Sequence, residues 1–277
     1  MSRSIGLTGV TMDLITVREV RQATTRDEIV FGEGERPLGG GTWLLSEPQP
    51  GMTGLVDLTS MGWNALEVTD SHLHIAATCT FSELMRLERR EEWSAFDLIG
   101  EACNSLLGSF KVWNVATIGG NICLALAAAP MTAFAAAMDA TAVLWAPDGS
   151  DRSIRVADLV LGAQHTAIAP GEVMRELVIP RASLESVTGF RRISLTPLGR
   201  TATMVISRRD PSGEITFTVA GGTDRPHVLR FDDLPSASAL ESAVGALSGW
   251  FTDAHGASDW RRAMGLRFAA ELRNELA

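Results

Sequence analysis

Two glycine-rich segments, Gly-Gly-Gly-Thr-Trp at 39–43 and Thr-Ile-Gly-Gly-Asn at 117–121, restrict the possible folds of this chain more than any other feature. Glycine has no Cβ, so its backbone N–H groups can come close to an anion. The first segment is not a Walker A loop, because no Gly-Lys-Ser/Thr follows. It also lacks the G-x-G-x-x-G spacing of a Rossmann fold. Taken alone, three glycines indicate a tight turn more often than a phosphate-binding loop, and the phosphate-binding loop is the alternative.

The second glycine segment leads into an apolar, Ala-rich stretch at 122–138 that we predict to be helical. Gly119, Gly120 and Asn121 would then lie at the helix start, where free N–H groups and the positive end of the helix dipole favour a phosphate. The alternative is an ordinary helix start that the Asn121 side chain caps. Taken alone, this segment leaves both interpretations open.

The net charge of −9 argues against nucleic acids and anionic membrane surfaces as partners, because both require clustered Lys and Arg. No stretch reaches the roughly 20 consecutive apolar residues of a membrane-spanning helix, and Pro130 interrupts the longest apolar run. The first residues lack the long apolar region and cleavage site of a secretory signal. We therefore expect a cytoplasmic protein without nucleic-acid or membrane partners.

Cysteine and histidine are sparse and scattered in this chain. Cys79, Cys103 and Cys123 form no C-x-x-C pair, so we expect neither an iron–sulfur cluster nor a zinc ribbon here. His72 and His74 stand two apart on one strand face and could hold a metal; two exposed histidines are the favoured interpretation. No nucleophile or acid–base set is apparent, so we predict no catalytic residue and no metal site.

The pattern of apolar and turn residues predicts an α+β chain of about two domains. The predicted strands lie at 55–58, in a hairpin at 66–77, at 141–145, before Pro180, and in an antiparallel pair at 202–207 and 215–220. The predicted helices cover 82–90, 96–107, 122–138 and two segments near the end. The last helix has Ser258 as a candidate cap and an apolar stripe typical of a core-facing helix. The stripe consists of Trp260, Met264, Phe268, Leu272 and Leu276.

These segments resemble the FAD-binding (medium) subunits and domains of the xanthine dehydrogenase and aerobic carbon monoxide dehydrogenase family, the molybdenum hydroxylases. Arg-Pro-Leu-Gly-Gly-Gly-Thr at 36–42 is similar to the family's proline, Leu-Ala-Gly-Gly-Thr loop, with Gly39 replacing the usual alanine. Asn-Val-Ala-Thr-Ile-Gly-Gly-Asn-Ile at 114–122 is close to its second signature. The similarity spans nearly the whole chain, because it continues at 55–58, 167–180, 189–191 and 256–262.

The resemblance implies two α+β subdomains of the p-cresol methylhydroxylase (PCMH) and vanillyl-alcohol oxidase type, which clasp an extended FAD. A smaller C-terminal domain with an antiparallel sheet and helices, as in carbon monoxide dehydrogenase flavoproteins, would follow. We expect the FAD-binding domain at 12–181, with subdomains at about 12–65 and 66–181. The C-terminal flavoprotein domain is expected at 188–277.

The resemblance also implies which residues hold the FAD. Both glycine loops would bind the pyrophosphate and adjoining groups. That role carries over to Gly39, Gly40, Gly41, Thr42, Trp43, Thr117, Ile118, Gly119, Gly120 and Asn121. Leu107, Met174 and Arg191 fall where family members line or flank the isoalloxazine ring, and a structural role is the alternative for each.

The sequence departs from the family pattern after Asn121. Family members usually continue with Asn, Ser, Pro and Asp, which bind sugar and ribityl hydroxyls. The corresponding positions here are Leu124, Leu126, Ala127 and Pro130. Each charged hydrogen bond that is lost removes about 1.5–3 kcal/mol, so we expect weakened binding to a site built mainly from backbone donors. Trp43 stands where Asp or Ser is common, and it either stacks on the cofactor or packs beside it.

The implied function is electron transfer within an oxidoreductase complex. A substrate would be hydroxylated on a large molybdopterin-binding subunit, and electrons would pass through 2Fe-2S clusters on an iron–sulfur subunit. FAD on this chain would pass them to NAD, oxygen or a quinone-like acceptor. Two alternatives stay open: a structural or assembly subunit that has lost tight FAD binding, and a self-contained flavin oxidase. The oxidase would need a substrate domain, for which the chain is short.

Overall fold

The computed structural model describes residues 14–277. Met12 and Asp13 of the expected FAD-binding domain therefore lie outside the described residues, as does most of the segment considered for a secretory signal. The strands of the described residues are β1 (Glu19–Gln22), β2 (Glu35–Leu38), β3 (Gly54–Asp57), β4 (Leu66–Val68), β5 (His72–Ala76), β6 (Thr141–Trp145), β7 (Asp151–Arg155), β8 (Val160–Gly162), β9 (His165–Thr166), β10 (Val173–Pro180), β11 (Val187–Ile193), β12 (Thr203–Arg209), β13 (Ile215–Ala220) and β14 (His227–Phe231).

Short helices connect many of these strands. The α-helices of the same residues are α1 (Phe81–Leu84), α2 (Phe96–Asn104), α3 (Phe110–Trp113), α4 (Ile118–Leu124), α5 (Pro130–Ala137), α6 (Val156–Leu159), α7 (Arg181–Leu184), α8 (Ala237–Gly245) and α9 (Ser258–Glu275). The strands form three larger sheets and one two-stranded ribbon, so the predicted α+β class is confirmed.

The first sheet is small and parallel, and it positions the first glycine segment. Its central strand β3 pairs with β1 on one side and with β2 on the other. Val56 of β3 is fully buried in a small core with Ala23, Leu58 and Val173. Because β2 ends at Leu38, the chain enters the glycine segment directly from this sheet.

The second sheet is antiparallel, with the strand order β4-β5-β10-β6-β7. The predicted hairpin at 66–77 is confirmed as β4 and β5, and β10 lies at the centre of the sheet. Helices α2, α4 and α5 contribute to the main core beside this sheet, where Phe134 of α5 is fully buried. All eight residues of α5 are buried, which explains why this segment is apolar around its whole circumference.

The third sheet has the antiparallel order β11-β12-β13-β14. Helices α8 and α9 pack beside it, and Phe268 and Leu272 of α9 enter its core, as the apolar stripe predicts. Helix α5 packs against β12 and β13 as well. Strands β12 and β13 are therefore buried along nearly their whole length, which fits their continuous runs of apolar and small residues.

A buried arginine joins the third sheet to the rest of the molecule. Arg208 of β12 donates to the Ala137 carbonyl oxygen at the end of α5, over 2.6 Å, and forms ion pairs with Asp139 and Asp210. Only 1% of its side chain is exposed, so these acceptors replace the water that the guanidinium loses on burial.

The predicted continuous helix at 122–138 is wrong. Helix α4 already begins at Ile118 and ends at Leu124, and Ala125 then adopts a left-handed conformation with φ of 51°. Pro130 opens α5 at the first helical position. Proline lacks the N–H that a helix interior requires, but it suits the first turn, so one apolar run is divided into two helices.

Three other helix boundaries differ from prediction. The helix expected at 82–90 is limited to Phe81–Leu84, because the residues that follow are mostly charged and offer no apolar stripe to bury. The helix expected at 96–107 ends at Asn104, where the Ser105 hydroxyl donates to the Glu101 carbonyl oxygen. Ser258 is the first residue of α9 rather than its cap, because Ala257 occupies the cap position.

Candidate functional site

The first glycine segment is a loop with many unused hydrogen-bond donors. Within residues 14–277, the backbone N–H groups of the six residues from Gly39 to Leu44 donate to no protein acceptor. The loop closes through the Leu45 N–H, which donates to the Gly41 carbonyl oxygen over 2.9 Å, and Gly41 has a φ of 67°. All six residues line one cleft, so a ligand in the cleft lies beside a row of donors that no residue among 14–277 accepts.

The second glycine segment uses its donors differently from our prediction. The N–H groups of Ile118 and Gly119 donate to the carbonyl oxygens of Cys79 and Ala77, over 2.8 and 2.9 Å. The Gly120 N–H donates to the hydroxyl of Thr117, the cap of α4, over 3.1 Å. The prediction of free N–H groups at Gly119 and Gly120 is therefore wrong, because the Ala77 carbonyl accepts the first and the Thr117 hydroxyl accepts the second.

Asn121 has a role that neither interpretation of the sequence included. It lies inside α4 rather than at a helix cap, and its N–H donates to the Thr117 carbonyl oxygen. Its side-chain oxygen accepts the N–H of Met131, at the start of α5, over 3.1 Å. Asn121 therefore holds the two halves of the divided helix together beside the cleft.

The two glycine segments are packed against each other. A Cβ at Gly40 would lie 1.8 Å from the Val115 carbonyl oxygen, and one at Gly39 would lie 2.8 Å from the Thr117 hydroxyl oxygen. A Cβ at Gly119 would lie 2.5 Å from the Ala77 Cβ. A Cβ would meet backbone atoms at Gly40 and Gly119 and the Thr117 side chain at Gly39, so glycine allows the close packing at all three positions.

The cleft has a volume of about 910 Å³, which lies in the range of ordinary ligand sites. All but two of the residues proposed from the sequence line it. Those that line it are Gly39, Gly40, Gly41, Thr42, Trp43, Leu107, Thr117, Gly119, Gly120, Asn121 and Met174. Ile118 is instead fully buried in the main core. Arg191 lies outside the cleft lining and pairs with Glu271 and Glu275 of α9.

One wall of the cleft is apolar. Leu124, Leu126 and Pro130, three of the positions that depart from the family pattern, line the cleft. Ala127, the fourth, contacts a separate small cavity beside Arg225. Three of the four departures therefore face the ligand space, where their side chains can bury apolar surface but offer no polar group.

The charged residues of the cleft leave a positive excess. Glu35 is paired with Arg21 and Glu172 with Arg152, both at distances of 2.7 Å or less, and these hydrogen bonds hold the pKa of both carboxyls below their ordinary values. The remaining charged residues that line the cleft are Arg36, Glu47 and Arg200. Within residues 14–277, none of the three forms an ion pair. Sequence reasoning missed Arg200, because no motif points to it.

Two sulfur atoms meet at the cleft wall. The Cys123 thiol lies 3.8 Å from the Met174 sulfur, and both residues line the cleft. Burial raises the pKa of the Cys123 thiol to about 12. The thiol is therefore protonated at neutral pH and is not a nucleophile.

The two histidines considered in the sequence lie together on β5. The His72 and His74 rings are 6.0 Å apart, and His74 lies 3.3 Å from a Glu176 carboxylate oxygen. Across residues 14–277, no group of three or more His, Cys, Asp or Glu is placed to hold a metal ion. Over the same part of the chain, each helix is too short or too polar to cross a membrane.

Comparison with known protein families identifies the class to which this fold and cleft belong. Residues 11–182, more than half of the chain, match the family described as the FAD binding domain in molybdopterin dehydrogenase. The chain belongs to this family. It is thus an FAD-binding protein of the molybdenum hydroxylases, which are oxidoreductases, as its two glycine segments predict.

Individual relatives agree with this assignment. Xanthine dehydrogenases 1 and 2 of Arabidopsis thaliana are 30% identical over 138 residues, which is 47% of this chain but only 10% of each plant protein. One chain of carbon monoxide dehydrogenase from Hydrogenophaga pseudoflava, which lacks the Mo-pyranopterin moiety of the molybdenum cofactor, has a similar structure. The TM-score is 0.78 at 20% sequence identity, and the match covers 93% of this chain and 96% of that chain. A chain of quinoline 2-oxidoreductase from Pseudomonas putida 86 has a TM-score of 0.77 at 19% sequence identity, and the match covers 93% of this chain and 95% of that chain. These likenesses establish the fold.

Different parts of the cleft fit different parts of FAD. The N–H groups of 39–44, which have no acceptor among residues 14–277, fit a pyrophosphate, which needs several donors at short range. The apolar wall at Leu124, Leu126 and Pro130 fits a flat ring better than it fits sugar hydroxyls. The residues present therefore fit the cofactor, with most of the polar recognition concentrated on one loop.

Proposed function

We propose that this chain binds FAD in the cleft and transfers electrons within a molybdenum hydroxylase complex. Electrons would arrive from the 2Fe-2S clusters of an iron–sulfur subunit and leave to NAD, oxygen or a quinone-like acceptor. The substrate would be oxidised on a large molybdopterin-binding subunit. We place this complex in the cytoplasm.

The row of free N–H groups from Gly39 to Leu44 is the observation that carries this proposal. Each unpaired backbone donor loses hydration when a ligand enters the cleft, so the row favours a ligand with several acceptor oxygens close together. A pyrophosphate has this arrangement. The nearby Arg36 guanidinium, which lines the same cleft without an ion pair, adds a positive charge suited to a dianion.

The other cleft residues would orient the cofactor and exclude water. Thr42 offers a hydroxyl beside the row of donors, while Trp43 offers a large flat surface. Leu107 and Met174 would contact the isoalloxazine ring. The bound flavin would supply the redox chemistry, and no residue of this chain needs to break a covalent bond. Arg191 is better explained by its ion pairs with α9 than by contact with the ring.

The domain division that accompanies this function is also a proposal. We assign 12–181 to the FAD-binding domain, with subdomains at about 12–65 and 66–181, and 188–277 to the C-terminal domain. The change from the second sheet to the third between Pro180 and Val187 supports the boundary. Arg208 and α5 would then hold the two domains together.

A second candidate function is a structural or assembly subunit that has lost tight FAD binding. The apolar wall supports it, because Leu124, Leu126 and Pro130 cannot hydrogen-bond the sugar and ribityl hydroxyls of FAD. The paired N–H groups of Ile118, Gly119 and Gly120 support it as well, since they reduce the number of donors available to the cofactor.

Titration of the purified 277-residue chain with FAD and with riboflavin separates the two candidates. We expect FAD to bind with a perturbed flavin absorption spectrum and a single site by calorimetry. Riboflavin has no pyrophosphate, and each charged hydrogen bond contributes about 1.5–3 kcal/mol, so we expect its affinity to be at least about a hundredfold lower. A colourless chain that takes up no FAD would favour the structural subunit. Equal affinity for both ligands would contradict a role for the row of donors.

A further inference from the structure

Arg200 is a cation of the cleft that the proposed function has not used. It lies in the connection between β11 and β12, far in sequence from both glycine segments, and it lines the cleft with Thr201. In the part of the chain that the structure describes, its guanidinium makes no hydrogen bond and no ion pair. The cleft carboxylates Glu35 and Glu172 are already bound to other arginines, and the third, Glu47, forms no ion pair with Arg200.

A second arginine fixes the backbone on both sides of Arg200. The Arg192 guanidinium donates through Nε to the Thr201 hydroxyl, over 3.0 Å, and through Nη2 to the Gly199 carbonyl oxygen, over 2.8 Å. The Gly199 N–H also donates to the Thr196 carbonyl oxygen, over 2.9 Å. Arg200 is therefore held between two anchored residues before any ligand binds, which reduces the entropy lost when its side chain engages a ligand.

Arg192 increases the positive character of this connection. Burial lowers the pKa of Arg192, and no carboxylate among residues 14–277 pairs with it. Its hydrogen-bond acceptors are a neutral hydroxyl and a neutral carbonyl. Arg200 lines the cleft and Arg192 supports the same connection from β11, so a negative charge in the ligand would stabilise the cleft cation Arg200.

The pyrophosphate of FAD already has its own partners on another element. The free N–H groups of 39–44 and the Arg36 guanidinium belong to the loop that follows β2. The other part of FAD that acquires negative charge is the isoalloxazine ring, at the N1 and C2 carbonyl side, when it is reduced. A cation close to that side favours the reduced ring over the oxidised ring.

We propose that Arg200 faces the isoalloxazine ring and raises the reduction potential of the flavin. Its guanidinium stays protonated and balances the one negative charge left on the ring after the uptake of two electrons from the iron–sulfur partner and one proton from solvent. Arg192 is a positioning residue that acts through Arg200. This inference rests on the proposed function, because it requires FAD in the cleft.

The test compares Arg200→Gln with Arg36→Gln in the 277-residue chain loaded with FAD. The midpoint potential is measured by anaerobic titration against a reference dye, and the affinity for oxidised FAD is measured by calorimetry. For Arg200→Gln we expect the affinity for reduced FAD to fall about tenfold more than that for oxidised FAD, which lowers the two-electron potential by about 30 mV. Arg200→Lys keeps the charge without the planar fork and should give a smaller shift.

The matched variant Arg36→Gln removes one positive charge at the phosphate end. It should weaken the binding of both redox forms equally and leave the potential unchanged. If the Arg200→Gln protein still binds FAD and its midpoint potential is unchanged, the inference is wrong but the proposed function stands. A loss of affinity for both redox forms without a change in potential would mean that Arg200 binds the phosphates. If the wild-type chain binds no FAD, the proposed function is wrong, and the inference is then wrong as well.

Discussion

The two glycine segments look alike in sequence, but their backbone N–H groups have different hydrogen-bond partners. From Gly39 to Leu44 the N–H groups are free and line the cleft, whereas those of Ile118, Gly119 and Gly120 are bound within the protein. In the first segment the absence of a Cβ leaves donors accessible to a ligand. In the second it lets α4 approach the chain that follows β5. A shared motif type therefore does not imply a shared role.

This difference explains how the site can combine binding with rigidity. The second segment is fixed by the Ala77 and Cys79 carbonyls, and it supports the first through the contact between Val115 and Gly40. The first segment can then hold several unpaired donors without collapsing onto protein acceptors. Preorganised donors of this kind lose little entropy when a ligand binds.

Hydrogen exchange should give the largest contrast between the segments. Amides from Gly39 to Leu44 have no protein acceptor, so we expect them to exchange rapidly without FAD. At an FAD concentration of 100 times Kd, their exchange should slow by about a hundredfold, because exchange then requires dissociation. Amides of Ile118 and Gly119 should be protected with and without FAD. Similar protection of both segments in the free protein would contradict the difference between their N–H groups.

Gly40→Ala should mainly affect ligand binding. The new Cβ would overlap the Val115 carbonyl oxygen, so the loop must move and one or more donors will lose their positions. We expect FAD affinity to fall by about ten- to a hundredfold, the value of one charged hydrogen bond, in a calorimetric titration.

Gly100→Ala is the matched control for that variant. Gly100 lies in α2, and a Cβ there meets no atom within 4 Å. FAD affinity should be unchanged, and stability should rise by about 0.5–1 kcal/mol, because alanine favours the helix. Equal losses of affinity in the two variants would show that the contact at Gly40 has no special role.

Gly119→Ala should mainly affect stability. Its Cβ would lie 2.5 Å from the Ala77 Cβ and 2.7 Å from the Ala77 carbonyl oxygen. Overpacking of this kind costs about 1–3 kcal/mol, which urea unfolding of the protein without FAD would detect. A variant of normal stability that no longer binds FAD would place Gly119 with the ligand-binding loop and contradict its structural assignment.

Thr117→Val should have the smallest effect. It removes the hydroxyl that accepts the Gly120 N–H and caps α4, which should reduce stability by about 1 kcal/mol. The corresponding fall in melting temperature is roughly 2–4 °C by calorimetry. Thr117→Ser keeps the hydroxyl and should retain most of the stability. A large loss of FAD affinity in Thr117→Val at normal stability would mean that the hydroxyl binds the ligand directly.

Local patterns predicted seven of the fourteen strands among the described residues. The hairpin predicted at 66–77 is β4 and β5, and the antiparallel pair predicted at 202–207 and 215–220 is β12 and β13. Both signals involve residues close together in sequence. Helix lengths were less predictable. Pro130 interrupts this apolar run, but the alanines on both sides of it favour a helix, so the break before Pro130 was not predicted.

The use of the donors could not be read from the sequence, because it depends on distant partners. The carbonyls that accept the Ile118 and Gly119 N–H groups belong to Cys79 and Ala77, in a segment that precedes α1. The placement of Arg191 and Arg192 was similarly non-local. They are neighbours on β11, and packing against α9 turns Arg191 toward Glu271 and Glu275, while Arg192 anchors the connection that carries Arg200.

The contact between Gly40 and Val115 also sets the order in which the site can be assembled. A nascent chain that ends before Val115 contains the whole first glycine segment but lacks the backbone that supports it. Closing a contact between such distant residues is slow compared with forming a hairpin or a helix turn. We therefore expect FAD uptake at the proposed site to follow the folding of the intervening segments, so that FAD stabilises a chain that is already folded.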